Sequence, residues 1–172
     1  MNLSRSITGI SLFVAVAAAA CGGGSSAGST GYGYATTTPS PAAPAPAAPG
    51  QAKIGTGKTG LGEFLVDGSG RTLYLFEADK GMTSSCYDAC AKFWPPVTST
   101  PTALAMTNVK ASLIGSLART DGTTQVVYNG HPLYYFSNDM ASGDTKGQGL
   151  NAFGGGWYVV DAAGAKIDKS GY

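Results

Sequence analysis

Two aspartates occupy equivalent places in a repeated motif, and they are the first candidates for chemistry. Asp79 ends one copy of the pattern L-Y-x-F-x-x-D and Asp139 ends the other. Two carboxylates can work as general acid and base when a fold brings them together. Each of these residues follows a predicted strand, where a carboxylate can instead accept hydrogen bonds from the amides of the turning chain. We favour the turn-capping role for both aspartates and predict no catalytic residue.

Cys86 and Cys90 are the second pair that could do chemistry. They are the two cysteines that remain once Cys21 is assigned to the N-terminal signal described below. An even cysteine count in an oxidising compartment favours a disulfide. The C-x-x-x-C spacing differs from the C-x-x-C of thioredoxin-like proteins and from the C-x-x-C-H of haem attachment. We predict a structural disulfide, with a redox or soft-metal site as the alternative.

Evidence for a metal site is weak. Asp139 and Asp144 lie in or beside a glycine-rich loop and carry the oxygen ligands that calcium prefers. They match no calcium-binding motif, and Asx turns explain the same residues. The lone histidine, His131, argues against a histidine-rich metal centre or a Ser-His-Asp triad, and we expect it at an exposed turn. We predict no cofactor and keep Asp139 and Asp144 as weak metal candidates.

The repeated segments themselves are predicted to be strands. Side chains alternate between faces along an extended chain, so Tyr74 shares a face with Phe76, and Tyr134 shares a face with Phe136. Leucines occupy the alternate positions Leu73 and Leu75, which suits a strand buried on both sides. We expect the paired aromatic rings to form core rather than a ligand groove. The better candidates for exposed aromatic contacts are Tyr128, Tyr135 and Tyr158.

Turn signals separate several further short strands. The Asn129-Gly130 pair is a strong hairpin signal, and Ser84 or Ser85 could cap a two-turn helix that ends before Pro95. This pattern predicts an all-β or β-dominated, compact antiparallel domain built from two related halves, with a short helix carrying Cys86 and Cys90. The predicted strands are residues 63–66, 71–76, 124–128, the second motif copy from Leu133, and 157–160, with residues 67–70 closing a hairpin between the first two.

The first 20 residues have the pattern of a secretory signal peptide. A short basic start at Arg5 precedes an apolar run and small residues. The segment Ala18-Ala19-Ala20-Cys21, followed by Gly-Gly-Gly-Ser-Ser, resembles a bacterial lipoprotein signal. That resemblance implies that Cys21 is diacylated and becomes the mature N-terminus. Acyl chains would anchor the protein stably in a membrane.

Residues 21–59 are predicted to be the anchor cysteine and a disordered linker. Five of the nine prolines fall within residues 39–49, and branched apolar residues are almost absent. Such a segment cannot bury enough surface to offset its conformational entropy. Residues 60–172 are then predicted to form a single β-rich domain.

The charge of the chain is balanced, with 11 Lys and Arg against 10 Asp and Glu, so nothing in the composition supports nucleic-acid binding.

With these motifs in hand, the chain resembles a bacterial family of secreted lipoproteins defined by a repeated Y-x-(F/W/Y)-x-x-D motif. The resemblance implies a location outside the cytoplasm and implies domain boundaries, but it carries no activity with it. The matching features are Tyr74-x-Phe76-x-x-Asp79, Cys86-x-x-x-Cys90-Ala91 with Trp94-Pro95-Pro96, Arg119-x-Asp121-Gly122, the run from Tyr128 to Asp139, Gly143-Asp144-x-x-Gly147-Gln148-Gly149, and Trp157.

We interpret the chain as a non-enzymatic, lipid-anchored module of the bacterial cell membrane or outer envelope. Its expected partners are the membrane, through the anchor at Cys21, and an unidentified envelope protein or small ligand. The alternative is a redox or metal-associated accessory protein that uses Cys86 and Cys90, with His131 as a further ligand.

Overall fold

The computed structural model describes residues 50–169, and the elements found there are mostly short strands. The predicted signal peptide, Cys21 and the linker up to residue 49 lie outside the described residues. The elements are β1 (Lys53–Thr59), β2 (Gly62–Asp67), β3 (Tyr74–Phe76), α1 (Asp88–Phe93), β4 (Leu104–Ala105), a 3-10 helix (Ala111–Leu113), β5 (Ile114–Ala118), β6 (Thr124–Tyr128), β7 (His131–Pro132), β8 (Leu150–Ala152) and β9 (Gly155–Val159).

The first sheet corrects the predicted start of the domain. Its order is β2-β1-β4, with β1 antiparallel to β2 and parallel to β4. Residues 53–59, predicted as the end of the linker, therefore belong to the fold, and Ile54 within them is fully buried. The glycines of this segment suggested flexibility. In the structure a Cβ at Gly57 would lie 2.9 Å from a methyl group of Val66, so this glycine allows two strands to approach closely.

The other two sheets have the orders β3-β9-β8 and β5-β6-β7. The predicted hairpin at Asn129-Gly130 is present, and both residues have the positive φ that a type I′ turn requires, 47° and 81°. The predicted hairpin between residues 63–66 and 71–76 forms only near its turn, where the Leu73 amide donates to the Leu65 carbonyl at 3.0 Å, because β3 itself pairs with β9 rather than with β2. Beyond the turn at Asp67 the β2 connection keeps one isolated bridge, between Val66 and Thr72. β3 forms its antiparallel ladder with β9, close to the end of the described residues, while the amide of Tyr74 donates to the carbonyl of Tyr134.

The core is divided between the two faces of the repeated segments, as the alternation predicted. One buried cluster contains Leu73 and Leu75 of the first copy, and the other contains Tyr74 and Phe76. In the second copy, likewise, Leu133 and Tyr135 belong to the first cluster, whereas Tyr134 and Phe136 belong to the second. The β-dominated fold with two related halves is therefore confirmed.

The helix is shorter than predicted and begins later. Its N-cap is Tyr87, which makes no capping side-chain hydrogen bond. The expected capping hydroxyls are used elsewhere, since Ser84 Oγ lies 2.7 Å from Tyr134 Oη and Ser85 Oγ donates to Asp79. Cys90 lies in α1, and Cys86 lies two residues before it. The predicted disulfide between them is present.

Three aromatic or polar positions differ from expectation in their exposure. Tyr128 and Tyr135, expected at the surface, are buried. Their hydroxyls still reach partners, because Tyr128 donates to the carbonyl of Ala162 at 2.9 Å and Tyr135 donates to Asp67 at 3.1 Å. His131 is half-buried in β7 rather than exposed in a turn.

Candidate functional site

The two copies of the motif meet directly at their tyrosines. The amide of Tyr74 donates to the carbonyl of Tyr134, and the amide of Tyr134 donates to the carbonyl of Tyr74, both at 2.9 Å. This reciprocal antiparallel bridge places the two halves of the domain side by side. Equivalent residues of the two copies therefore face each other across an approximate twofold relation.

Each aspartate accepts a hydrogen bond from the tyrosine of the other motif copy. The Tyr74 hydroxyl donates to Asp139 Oδ2 at 2.6 Å, and the Tyr134 hydroxyl donates to Asp79 Oδ2 at 2.7 Å. Each aspartate thus holds the tyrosine of the other copy. The remaining oxygens accept from the chain that follows, Asp139 from the amide of Lys146 and Asp79 from Ser85. One carboxylate oxygen of each aspartate therefore makes the capping interaction that the sequence suggested, and the other oxygen makes the hydrogen bond between the repeats.

Burial controls the protonation of this cluster. It raises the pKa of Tyr74, and the neighbouring Asp139 raises it further. Burial also raises the pKa of the Tyr134 phenol. The pKa of Asp139 is raised by burial too, against the hydrogen bonds from Tyr74 and the Lys146 amide, which lower it. Both phenols are therefore neutral donors at physiological pH.

A stack of four aromatic rings fills the space beside the tyrosines. Trp94 and Trp157 lie face to face at the centre, with centroids 3.9 Å apart and planes 5° apart. Phe136 stacks on the outer face of Trp94 at 4.4 Å, and Phe76 stacks on Trp157 at 4.0 Å. Each half supplies one tryptophan and one phenylalanine, and each tryptophan stacks on the phenylalanine of the other half. All four side chains are buried.

Arg119 is a residue whose importance the sequence did not reveal. Its side chain is fully buried, yet in the sequence it stood out only as the first residue of the Arg119-x-Asp121-Gly122 motif, without a role. The guanidinium donates to Ser84, to Gln125 and to the carbonyl of Cys86, each at 2.8 Å, and pairs with the partly exposed Asp121. It therefore ties the disulfide segment to β6. The one signal available was the arginine two residues before an aspartate.

The weak calcium candidates are already engaged with hydrogen-bond donors. Asp144 accepts from the amides of Met140 and Ala141 and from the ammonium group of Lys146 at 2.8 Å. The hydrogen bond from Lys146 is the main reason that the pKa of Asp144 is lowered. Within residues 50–169, no group of three or more His, Cys, Asp or Glu side chains could hold a metal ion.

An apolar groove lies at one end of the ring stack. Its volume is about 230 Å³, and it is lined by Phe93, Trp94, Phe136, Leu150, Ala152 and Phe153. Phe93 and Phe153 are 52 % and 47 % exposed, with ring centroids 6.0 Å apart. A cavity of about 270 Å³ near His131 and Lys166 is more polar, and another of about 340 Å³ borders the first described residues, including Gly50. The groove is the surface at which the aromatic interior meets solvent.

These contacts define an internally duplicated β module closed by reciprocal tyrosine–aspartate bonds. A family model described as a secreted repeat of unknown function matches residues 55–98 and again residues 115–161, which together exceed half of the chain. The chain belongs to this family of secreted repeats. The two matched segments carry the two motif copies, one in each half, and the family indicates an extracellular module.

No curated protein matches the chain, and no solved structure matches it. Among the described residues, no helix is long and apolar enough to cross a membrane.

Proposed function

We propose that this protein is a lipid-anchored, extracytoplasmic binding module of the bacterial cell envelope, and that its partner is another envelope protein. One observation carries the proposal. The polar groups of the repeated motif are buried and bound to one another, whereas the apolar groove presents Phe93 and Phe153 to solvent. Buried polar groups that are hydrogen-bonded to one another stabilise the fold, whereas exposed aromatic clusters are typical of protein interfaces.

The dimensions of the groove favour a protein partner over a small ligand. Ligand pockets usually enclose about 300–1,000 Å³ and bury most of the ligand. This groove is smaller, at about 230 Å³, and its rim residues are half-exposed. It fits one or two apolar side chains of a partner, which is how aromatic contacts at interfaces act.

The conformation of Phe153 supports a function for this surface. Phe153 has a φ of 57°, in the left-handed region that glycine and asparagine normally occupy. An aromatic residue there costs about 1–3 kcal/mol of backbone strain. Solvent exposure of the ring adds an unfavourable apolar contribution. Phe153 and Gly154 close the two-residue turn between β8 and β9, which requires positive φ at both positions. Asparagine or glycine would fit position 153 with less strain, so an exposed aromatic ring there favours a role in recognition.

Photo-crosslinking tests the groove. A photoreactive amino acid at position 153, in protein exported by its own host, is expected to capture one envelope protein that then binds the purified wild-type domain. Phe93→Ser with Phe153→Ser should abolish that binding while the melting temperature stays close to that of the wild type. Met82→Ser with Met106→Ser removes exposed apolar side chains outside the groove lining and should leave binding unchanged. Equal loss in both double variants would refute the groove as the interface.

The lipid anchor rests on the segment Ala18-Ala19-Ala20-Cys21 and on the tether that follows it. Mass spectrometry of the protein isolated from membranes should show an N-terminal Cys21 carrying acyl chains. Cys21→Ser should abolish acylation and release the domain from the membrane fraction. A wild-type N-terminus at any other residue, without lipid, would refute the anchor and leave the groove proposal to its own test.

The alternative, a redox or metal-associated role for Cys86 and Cys90, has less support. Both sulfur-bearing side chains are buried in the aromatic cluster, which shields the bond from an attacking thiolate. Fast reduction of this disulfide in the folded protein, or metal bound after native purification, would favour the alternative over a structural role.

A further inference from the structure

The paired tryptophans and the hydrogen-bonded tyrosines form one connected aromatic system. Tyr74 contacts Trp94 edge to face, with ring centroids 5.4 Å apart, and Tyr134 contacts Trp157 in the same way at 5.2 Å. The two indoles are stacked at 3.9 Å. The centroid spacing from one tyrosine to the other through both tryptophans therefore never exceeds 5.4 Å.

Tryptophan and tyrosine are the side chains that give up a single electron most readily. An oxidised indole shares its positive charge with a parallel neighbour, which stabilises it. Oxidised tyrosine is a strong acid, so its oxidation requires a base to take the phenolic proton. Here each phenol already donates to a carboxylate, at 2.6 Å for Tyr74 and 2.7 Å for Tyr134. The proton can therefore move along an existing hydrogen bond without water.

We infer that the interior of this domain traps an electron hole, that is, the missing electron left by a one-electron oxidation. A strong one-electron oxidant, such as a peroxide-derived radical, oxidises the Trp94–Trp157 pair. The hole then passes to Tyr74 or Tyr134. In the first step one electron leaves the indole pair and reduces the oxidant. In the second step the tyrosine returns one electron to the indole, its O–H bond breaks, and the proton goes to Oδ2 of Asp139 or Asp79. The products are a neutral indole pair, a neutral phenoxyl radical and a carboxylic acid.

The trap is reset by a one-electron reductant such as a thiol or ascorbate. It supplies an electron to the phenoxyl radical, and the proton returns from the carboxylic acid to the phenolic oxygen. Burial raises the pKa of both Tyr74 and Asp139, which keeps the phenol protonated and makes the carboxylate a stronger base. Trp94 and Phe136 line the apolar groove and are almost fully buried, so the stack lies just beneath the surface that an oxidant would reach. None of these steps depends on the lipid anchor or on the partner proposed above.

Flash photolysis of the full exported protein tests the inference. A ruthenium polypyridyl complex with a sacrificial acceptor serves as the photogenerated one-electron oxidant, and transient absorption separates indole from phenoxyl radicals. Wild-type protein should show an indole radical that decays as a phenoxyl radical appears. Tyr74→Phe with Tyr134→Phe should lose most of the phenoxyl signal and prolong the indole signal. Tyr87→Phe with Tyr158→Phe is the matched control and should behave as wild type.

The role of the carboxylates is tested with a separate double variant. Asp79→Asn with Asp139→Asn retains the shape of both side chains but removes the base. It should slow the appearance of the phenoxyl radical and change its solvent deuterium isotope effect, with circular dichroism as the check on folding. The inference is overturned if wild-type protein forms the indole radical without a phenoxyl radical, or if the tyrosine double variant keeps the full phenoxyl signal.

Discussion

The hydroxyl of Tyr74 supplies a buried carboxylate, Asp139, with a donor. Tyr74→Phe removes that donor and keeps the ring in the aromatic cluster. Leaving a buried acceptor short of its partner costs about 1–3 kcal/mol, so we expect a loss of that size in the free energy of unfolding. Urea denaturation monitored by tryptophan fluorescence measures it.

Tyr158→Phe is the matched control for this change. The Tyr158 ring is half-buried and lies next to the ammonium group of Lys166. Its variant should shift the free energy of unfolding by no more than about 0.5 kcal/mol. Equal effects of the two variants would contradict a stabilising role for the hydrogen bond from Tyr74 to Asp139 between the repeats.

The raised pKa of Asp139 predicts a pH dependence of stability. Burial raises this pKa above the ordinary value of 3.8, so the folded protein binds the proton more tightly than the unfolded chain. The stability that the folded protein gains from this tighter proton binding is fully present below pH 3.8, and it is lost as the pH rises through the pKa of Asp139 in the folded state. Relative to Asp139→Asn, which does not titrate, the wild type should therefore lose stability as the pH is raised from 3.8 through the acidic range.

Parallel urea titrations of wild type and Asp139→Asn across this range give the comparison, with the exposed Asp88→Asn as a control for removing one charge. A wild-type advantage that grows with pH would mean that the hydrogen bonds from Tyr74 and Lys146 outweigh the burial of the carboxylate, opposite to the expected sign.

At the scale of elements, the disulfide holds the segment that leads into the helix. Cys86 and Cys90 are 0 % and 6 % exposed, so mild reductant should leave the disulfide intact in the folded protein and reduce it to two free thiols in urea. The closed loop is short, so loss of the bond should cost only about 2 kcal/mol of stability in the chain-entropy treatment. Thiol titration and denaturation of Cys86→Ser with Cys90→Ser measure the two effects.

The elements also show why their partners were harder to predict than their existence. The alternation of Tyr74 and Leu75 correctly indicated a strand buried on both faces. The nearest extended segment, β2, was the expected partner because sequential strands usually pair. β3 pairs instead with β9, which brings Trp157 opposite Phe76. That choice depends on packing between the halves, and no local pattern encodes it.

For the whole molecule, the shared interior should tolerate no added volume where the halves touch. A Cβ at Gly147 would lie 2.7 Å from the Trp94 ring and 3.0 Å from the Tyr74 ring. Gly147→Ala should therefore destabilise the domain by about 1–3 kcal/mol, as overpacking of a core does.

Gly60→Ala is its control, because a Cβ there meets nothing within 4 Å. Thermal and urea unfolding of the two variants give the comparison. If the two glycine variants proved equally stable, the interior would be loosely packed, and the ring stack would lose its geometric basis.

The sequence by itself determined the duplication, the β-dominated class, the two faces of the repeated segment and the disulfide. These follow from local rules, since side chains alternate along a strand and two cysteines in an oxidising compartment have one pairing. It missed β1, because Gly55 and Gly57 look like linker residues until the strand that they approach is known.

Only the tertiary structure decided what the duplicated residues do. Tyr74 binds Asp139, and Tyr134 binds Asp79, across a distance in sequence at which no pattern selects a partner. The stacking of the two tryptophans also depends on tertiary structure, because the two halves bury their apolar surfaces against each other and the rings meet there. Repetition supplied matching groups, and the packing of one half against the other joined them into reciprocal pairs.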